Sequence, residues 1–158
     1  IANTTFSYDR MHAMLTEWSR LYEAQTVKDH QRFYDPLYDS ETYESEIAAI
    51  DAFFRDRFSF AMESLAETFH LQGDLTRIRI DINNPAGGIV RVNTANLEAC
   101  DAWEGYYYSD FPVTVCARPH EGYRFAGWQG DVSDTGDTLT VSLKEGAVSV
   151  RAVFEKER

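Results

Sequence analysis

The stretch Phe69-His70-Leu71-Gln72-Gly73-Asp74-Leu75-Thr76-Arg77-Ile78-Arg79-Ile80-Asp81-Ile82 decides the fold class, because the spacing of apolar residues changes within it. Before Gly73, apolar residues recur every three or four positions, as in an amphipathic helix. After Gly73 they recur every second position, as in a strand with one buried face. The sequence therefore predicts an α+β protein, with a helical segment over residues 1–73 and a small, mostly antiparallel β module over residues 74–158.

The composition excludes two classes of partner. The 158 residues include 15 Lys and Arg against 26 Asp and Glu, a net charge of −11 that argues against nucleic acid. No run approaches the roughly 18 consecutive apolar residues of a membrane span. With 44% hydrophobic residues the chain has enough apolar side chains to build a core. Because acids exceed bases in both parts, the acidity indicates solvated surface rather than a charged arm.

Two helices are predicted before Pro36. Ser7 or Asp9 caps the start of the first helix. A second, shorter helix begins at Thr26 as its N-cap and ends before Pro36, because the residue preceding a proline is pushed out of the helical region. The apolar face of the first helix consists of Met11, Met14, Leu15, Trp18, Leu21 and Tyr22.

A third, long helix follows, so the first part is predicted to be a helical hairpin or a three-helix unit. Ser40 is its expected N-cap, and Gly73 stands where the residue after the helix should be. Phe53 and Phe60 widen its apolar stripe, so we expect contacts on two sides of this helix. If the helices belong to a larger domain, Phe53 and Phe60 should instead be exposed.

The second part is predicted to contain short strands separated by turns. Ile78, Ile80 and Ile82 alternate with charged residues, as in a half-exposed strand. Residues 83–88 read as a hairpin turn that returns the chain into residues 89–92, and we expect this hairpin to act as a hinge between the two parts. Further strands are expected at residues 113–117, 123–128, 139–143 and 148–154.

Aromatic residues provide the candidate binding site. Trp103, Tyr106, Tyr107 and Tyr108, with Trp128 nearby in sequence, would form a flat platform for sugar rings, which makes a carbohydrate-binding module one hypothesis. The alternative is that alternate members of the tyrosine triple face the core while the middle one faces water.

No catalytic, cofactor or metal residues are predicted. The segment 131–137 contains three aspartates and a glycine, which suggests calcium, but it lacks the spacing of a helix-loop-helix site, and a solvated hairpin loop is the favoured interpretation. An enzyme stays possible as a third hypothesis if acids such as Asp101, Glu104 and Asp131 meet in one cleft. For Cys100 and Cys116, a disulfide and two half-buried thiols are both open alternatives.

The order of the later strands resembles a known repeat. Residues 112–119 are followed by 122–131, then 139–141 and 150–154. This order resembles the divergent InlB B-repeat of bacterial surface proteins, in which an alternating strand ending in Ala precedes a Gly-Tyr-x-Phe-x-Gly-Trp turn. A further strand and a closing Ala-Val-Phe complete that pattern. The resemblance implies a small β module at the cell surface.

The earlier residues are similar to the C-terminal end of the spore-coat CotH kinase-like family. The similarity rests on Phe53-Phe54-Arg55-Asp56-Arg57, on the junction Phe69-His70-Leu71-Gln72-Gly73, and on Gly87-Gly88-Ile89-Val90-Arg91-Val92-Asn93-Thr94. It implies the non-catalytic C-terminal region of a secreted or surface-attached protein, acting as a structural or adhesion module. The implied partners are an upstream domain of the same chain and a cell-surface protein or glycan. Because the chain begins at Ile1, we expect residue 1 to be an interior position of a longer protein.

Overall fold

The computed structural model describes residues 3–97 and 100–157 and divides the chain into two compact units, separated between Leu65 and Ala66. The first unit is helical. The second contains the end of the last helix followed by two four-stranded sheets. The predicted α+β class is confirmed. No helix in the described ranges is both long and apolar enough to cross a membrane.

The first unit is a helical hairpin. Helix α1 spans Tyr8–Phe33 and helix α2 spans Ser40–Phe69, with the last turn of α2 in the second unit. The predicted break at Thr26 is wrong, because α1 continues through it. No glycine or proline interrupts the residues around Thr26, and a hydroxyl residue alone does not end a helix that can continue its backbone hydrogen bonds.

Helix α2 is capped by Asp39 rather than by Ser40. The backbone N–H of Thr42 donates to Asp39 Oδ1 at 2.8 Å, and the Thr42 hydroxyl donates to the same oxygen at 2.8 Å. The backbone hydrogen bond from Thr42 is the main reason that the pKa of Asp39 is lowered. The N-cap is thus one residue earlier than the sequence pattern indicated, and Ser40 is the first helical residue.

The end of α2 also differs from the prediction. His70, not Gly73, takes the left-handed position after the helix, with φ of 54°. The N–H of Leu71 donates to the carbonyl of Ala66 at 3.0 Å, and the N–H of His70 to the carbonyl of Glu67 at 3.4 Å. This is a Schellman motif built on a histidine. The N–H of Gly73 instead donates to Asp110 Oδ2 at 2.7 Å, and a Cβ on Gly73 would meet Ser109 and Asp110.

The second unit is a β-sandwich. One sheet has the strand order β4-β1-β8-β6 and the other has the order β3-β2-β5-β7. All strand pairs are antiparallel except β1 with β8, which run parallel. The strands are β1 (Leu75–Ile82), β2 (Gly88–Val92), β3 (Ala95–Asn96), β4 (Ala102–Tyr108), β5 (Val113–Pro119), β6 (Tyr123–Gly130), β7 (Thr138–Val141) and β8 (Val148–Lys156).

The predicted hairpin at residues 83–88 is wrong. Strands β1 and β2 belong to different sheets, and a single 3₁₀ turn over Pro85–Gly87 carries the chain from one sheet to the other. Asn83 fixes this crossing to β8, because its side chain donates to the carbonyl of Phe154 at 3.0 Å and accepts from the Phe154 N–H at 2.8 Å. The segment is therefore bound to the sandwich and is not the predicted hinge hairpin.

Both sheets contribute to one hydrophobic core. Alternate residues of β1 and β8 point inward from the first sheet, and alternate residues of β2, β5 and β7 point inward from the second. This alternation is the reason that the two-residue apolar period in the sequence produces a sandwich. The core consists of Ile78, Ile80, Ile82, Val90, Val92, Leu97, Val113, Val115, Ala117, Trp128, Leu139, Val141, Leu143, Val150, Ala152 and Phe154.

The helical unit has little core of its own. Tyr38 and Tyr43 are its buried hydrophobic residues, whereas Phe53 and Phe60 are exposed. Our expectation that α2 is contacted on two sides is therefore not met among the described residues of the helical unit. The predicted apolar face of α1 is also only partly covered. Met11, Met14 and Leu15 are half-buried, but Trp18, Leu21 and Tyr22 are exposed.

Candidate functional site

The predicted aromatic site does not form one surface. Trp128 is only 2% exposed and packs in the core, with its ring centroid 5.1 Å from that of Phe125. Trp103 and Tyr107 are half-buried and pack against the same core. Tyr106 is exposed by 40%. A flat platform that includes all the predicted residues is therefore excluded, because two of its members face inward and a third is enclosed.

The register of β4 explains this division. Trp103 lies opposite Ile80 and Gly105 lies opposite Ile78, so the odd-numbered positions of β4 share the inner face with the core of β1. Tyr106 lies opposite Arg77 on the outer face. The middle tyrosine therefore packs inward, the reverse of the sequence-based alternative that turned it toward water. A Cβ on Gly105 would overlap the Trp103 indole, so this glycine leaves space for that ring.

Charged residues surround Tyr106 on the outer face of the first sheet. Arg79 pairs with Asp81 at 2.8 Å and with Glu104 at 3.0 Å, and Arg77 reaches Glu104 at 3.5 Å. The hydrogen bond with Asp81 is the main cause of the raised pKa of Arg79. Glu104 is thus engaged by two arginines in an exposed ion-pair network.

The three acids considered as an active site have separate surroundings. Asp101 lines a shallow cavity of about 360 Å³ together with Asp81, Ile82, Asn83 and Arg151. Asp131 accepts a hydrogen bond from the Ser149 N–H at 2.8 Å. Neither Glu104 nor Asp131 lines this cavity, so it does not unite the three acids.

Asp134 and Asp137 accept hydrogen bonds from residues close to them in sequence. Asp134 Oδ1 accepts from the Gly136 N–H at 2.7 Å, and the Thr138 hydroxyl donates to Asp137 at 3.0 Å. The backbone of Asp134 also bridges to that of Trp128. Over residues 3–97 and 100–157, no group of three or more His, Cys, Asp or Glu side chains is arranged to hold a metal ion. Of the two alternatives for the cysteines, the structure has half-buried thiols at Cys100 and Cys116 that are not joined by a disulfide.

A polar cluster that the sequence did not predict lies between the two helices. Asp51 accepts a hydrogen bond from Tyr8 at 3.1 Å, contacts His12 Nδ1 at 2.6 Å and pairs with Arg55 at 2.9 Å. The hydrogen bond to His12 is the main reason that the pKa of Asp51 is lowered. The contacts of Asp51 with Tyr8 and His12 join α1 to α2 beside a groove of about 280 Å³. The available signal was Asp51 itself, an acid that interrupts the apolar stripe between Ile47 and Phe54.

The motif over residues 122–128 has a structural explanation. Gly122 and Gly127 have φ of 78° and 136°, values that side-chain-bearing residues rarely adopt. The bulge between Phe125 and Gly127 changes which residues of β6 face the core. The rings of Phe125 and Trp128 consequently pack against each other and, through Phe125, against Phe154 of β8.

Comparison with known families agrees with this motif. A family model described as the divergent InlB B-repeat domain matches residues 80–158, half of the chain. The chain belongs to the divergent InlB B-repeat family. Searches of curated proteins and of solved structures gave no match. The resemblance to the B-repeat is confirmed, whereas no comparison supports the CotH resemblance. Membership in this family points to a surface-type bacterial module.

Proposed function

We propose that this protein is a non-catalytic structural or adhesion module of a bacterial surface protein, and that its B-repeat unit, the β-sandwich of residues 75–156, resists mechanical tension. The supporting observation is the parallel pairing of β1 with β8 at the centre of the first sheet, with Ile78 opposite Val148 and Ile82 opposite Ala152. These are the first and the last strands of the unit.

Parallel pairing of β1 and β8, the first and last strands in sequence, has a mechanical consequence. A force that pulls the start of β1 away from the end of β8 acts along both strands in opposite directions. The hydrogen bonds between the strands are perpendicular to that force, or nearly so, and they must break together. In an antiparallel hairpin pulled at its open end, by contrast, the bonds break one after another. The unit is thus arranged to transmit tension between Leu75 and Lys156 without unzipping.

The surroundings of the β1–β8 pair support this role. The inward side chains of both strands are buried, including Ile80 and Val150, so water has little access to the inner side of the pair. Strands β4 and β6 cover its two edges. Asn83 adds two hydrogen bonds to the backbone of Phe154 just beyond the paired residues.

Single-molecule force spectroscopy of matched core variants tests the proposal. Val150 in β8 and Val141 in β7 are both 1% exposed, so either change to alanine removes the same buried atoms, at a cost of about 2 kcal/mol. We expect the two variants to lose similar stability in urea. Only Val150→Ala should clearly lower the unfolding force, because β7 lies outside the β1–β8 pair. Equal reductions in force would contradict the proposed role.

The proposal of a secreted, CotH-type protein is supported by the sequence resemblance to the CotH kinase-like family. The motifs at residues 53–57 and 69–73 support a region from a secreted, CotH-type protein, with an upstream domain and a cell-surface protein as partners. Detection of the native protein at the bacterial surface, by labelling intact cells with an antibody to the B-repeat unit, tests the extracellular location. Labelling only after lysis would refute it.

Carbohydrate binding is the second candidate function, with a surface limited to two of the predicted aromatic residues. Tyr106 and Tyr108 are two residues apart on the outer face of the edge strand β4, next to the arginines of β1. Affinity electrophoresis in polysaccharide-containing gels tests this surface. Retardation that is lost in Tyr106→Ala but kept in Phe111→Ala would support sugar binding, and migration unaffected by any polysaccharide would reject it.

A further inference from the structure

The helical unit exposes eleven large apolar side chains among its described residues, and six of them, within α1 and α2, form one group. These six are 40–73% exposed, although helices of this kind normally direct such residues toward a core. Three lie in α1 and three in α2. The six residues, which we call the apolar face, are Trp18, Leu21, Tyr22, Ile50, Phe53 and Phe60.

Helix geometry places these residues on one side of the hairpin. The contacts of His12 with Asp51 and of Tyr43 with Ser19 show that α1 and α2 are antiparallel. On each helix, at about 100° per residue, the exposed apolar residues lie about 60–160° from those that contact the other helix, with a mean near 110°. The rotation has the same sense in both helices when each is viewed from its own N-terminus. For antiparallel helices, this puts both sets on the same face.

The size of the apolar face exceeds what an isolated chain normally exposes. Large apolar side chains carry about 150–250 Å² of surface, so six at these exposures present on the order of 700 Å². The largest apolar patch on a typical monomer is about 300–600 Å². A stable protein–protein interface buries about 800 Å² on each partner. The face therefore has nearly the area that one side of a stable dimer requires.

We propose that the apolar face binds the same face of a second copy of this chain, forming a four-helix assembly. Two antiparallel helices with one uncovered apolar side are half of such a bundle. Trp18, Leu21 and Tyr22 lie in the middle of α1, level with the first turns of α2, where Tyr43 meets Ser19. Phe53 and Phe60 lie further along α2. A two-fold axis crossing the helices brings the α1 residues of one copy to the level of the α2 residues of the other.

Sedimentation equilibrium of the full chain tests this proposal. We expect the wild-type mass to rise with concentration toward twice the 18.1 kDa of one chain. Phe53→Glu should weaken the dimer by roughly thirtyfold or more, because it replaces an aromatic side chain that the dimer interface would bury. Phe111→Glu is the matched control, since Phe111 is also 58% exposed but lies in the B-repeat unit. This variant should dimerise like the wild type.

The outcomes separate the proposal from its alternatives. A wild-type protein that stays at 18.1 kDa at several hundred micromolar overturns it. A dimer that survives Phe53→Glu and Phe60→Glu, but not Phe111→Glu, also overturns it and assigns the contact to the B-repeat unit. Circular dichroism at 222 nm shows whether each variant keeps its helices. If Phe53→Glu loses them, Phe60→Gln provides a milder change on the same face.

Discussion

Replacing His70 by glycine should stabilise the end of α2. His70 holds the left-handed position of a Schellman motif, with φ of 54°. An L-residue pays about 1–2 kcal/mol in this conformation. Glycine adopts it freely, but its greater freedom in the unfolded chain offsets about 0.4–1 kcal/mol of the gain. We therefore expect His70→Gly to raise the free energy of unfolding by about 0.5–1 kcal/mol.

Urea denaturation followed by circular dichroism at 222 nm measures this effect through the helices. With a urea dependence of about 2 kcal/mol per molar, the midpoint should rise by about 0.3–0.5 M. Gly122→Ala provides the opposite change, because Gly122 has φ of 78° and a Cβ there would meet no atom within 4 Å. It should lower stability through backbone strain alone. A His70→Gly variant that is less stable than wild type would refute the interpretation of the helix end.

Three further predictions concern the core, the sheet crossing and the helical hairpin. Ile80→Ala should lower the free energy of unfolding by about 2–5 kcal/mol, measured by urea denaturation with tryptophan fluorescence, because Ile80 is fully buried between the sheets. Asn83→Ala should cost about 1–2 kcal/mol in the same assay, since it removes both hydrogen bonds to Phe154, and a neutral effect would contradict the proposed anchoring. The lowered pKa of Asp51 means that its stabilising contribution is present above its unfolded pKa of about 3.9 and is lost as the pH falls through the lower folded value. Asp51→Asn should therefore make the helical signal less sensitive to acid as the pH falls below about 4, and an unchanged acid profile would count against the cluster.

The sequence predicted those parts of the fold that depend on side-chain period. The alternation of Ile78, Ile80 and Ile82 placed β1 correctly, and the motif over residues 122–128 indicated the B-repeat. The spacing of apolar residues specifies which face of a strand is buried, but it does not specify which strands lie beside it. For this reason the sequence indicates a hairpin at residues 83–88, although β1 pairs with β4 and with β8, some 70 residues later, and not with β2.

Helix ends were less predictable because several neighbouring residues can serve there. Asp39 and Ser40 are both good N-cap residues, and the backbone geometry decides between them. Gly73 was the natural choice for the left-handed position, but the hydrogen bonds of Asp110 to Gln72 and Gly73 fix the chain after the helix. The left-handed conformation then falls on His70.

The candidate site was predicted least well. Trp103, Tyr106, Tyr107 and Tyr108 are close in sequence, but alternate positions of a strand face opposite sides of a sheet. Exposure of Trp128 could not be read from its motif, because the bulge in β6 directs its ring into the core. The Asp51 cluster depends on which residues of α1 and α2 meet, and helical period alone does not determine that pairing.

The most direct test of the tension-bearing role compares two pulling directions in the wild-type B-repeat unit. Handles at Asp74 and Glu157 load the parallel β1–β8 pair along its strands, whereas handles at Glu121 and Glu157 pull apart the open end of the antiparallel β6–β8 pair. We predict a clearly higher unfolding force for the first pair of handles, because the β1–β8 hydrogen bonds must break together. Equal forces in the two directions, or a lower force for the first, would contradict the account.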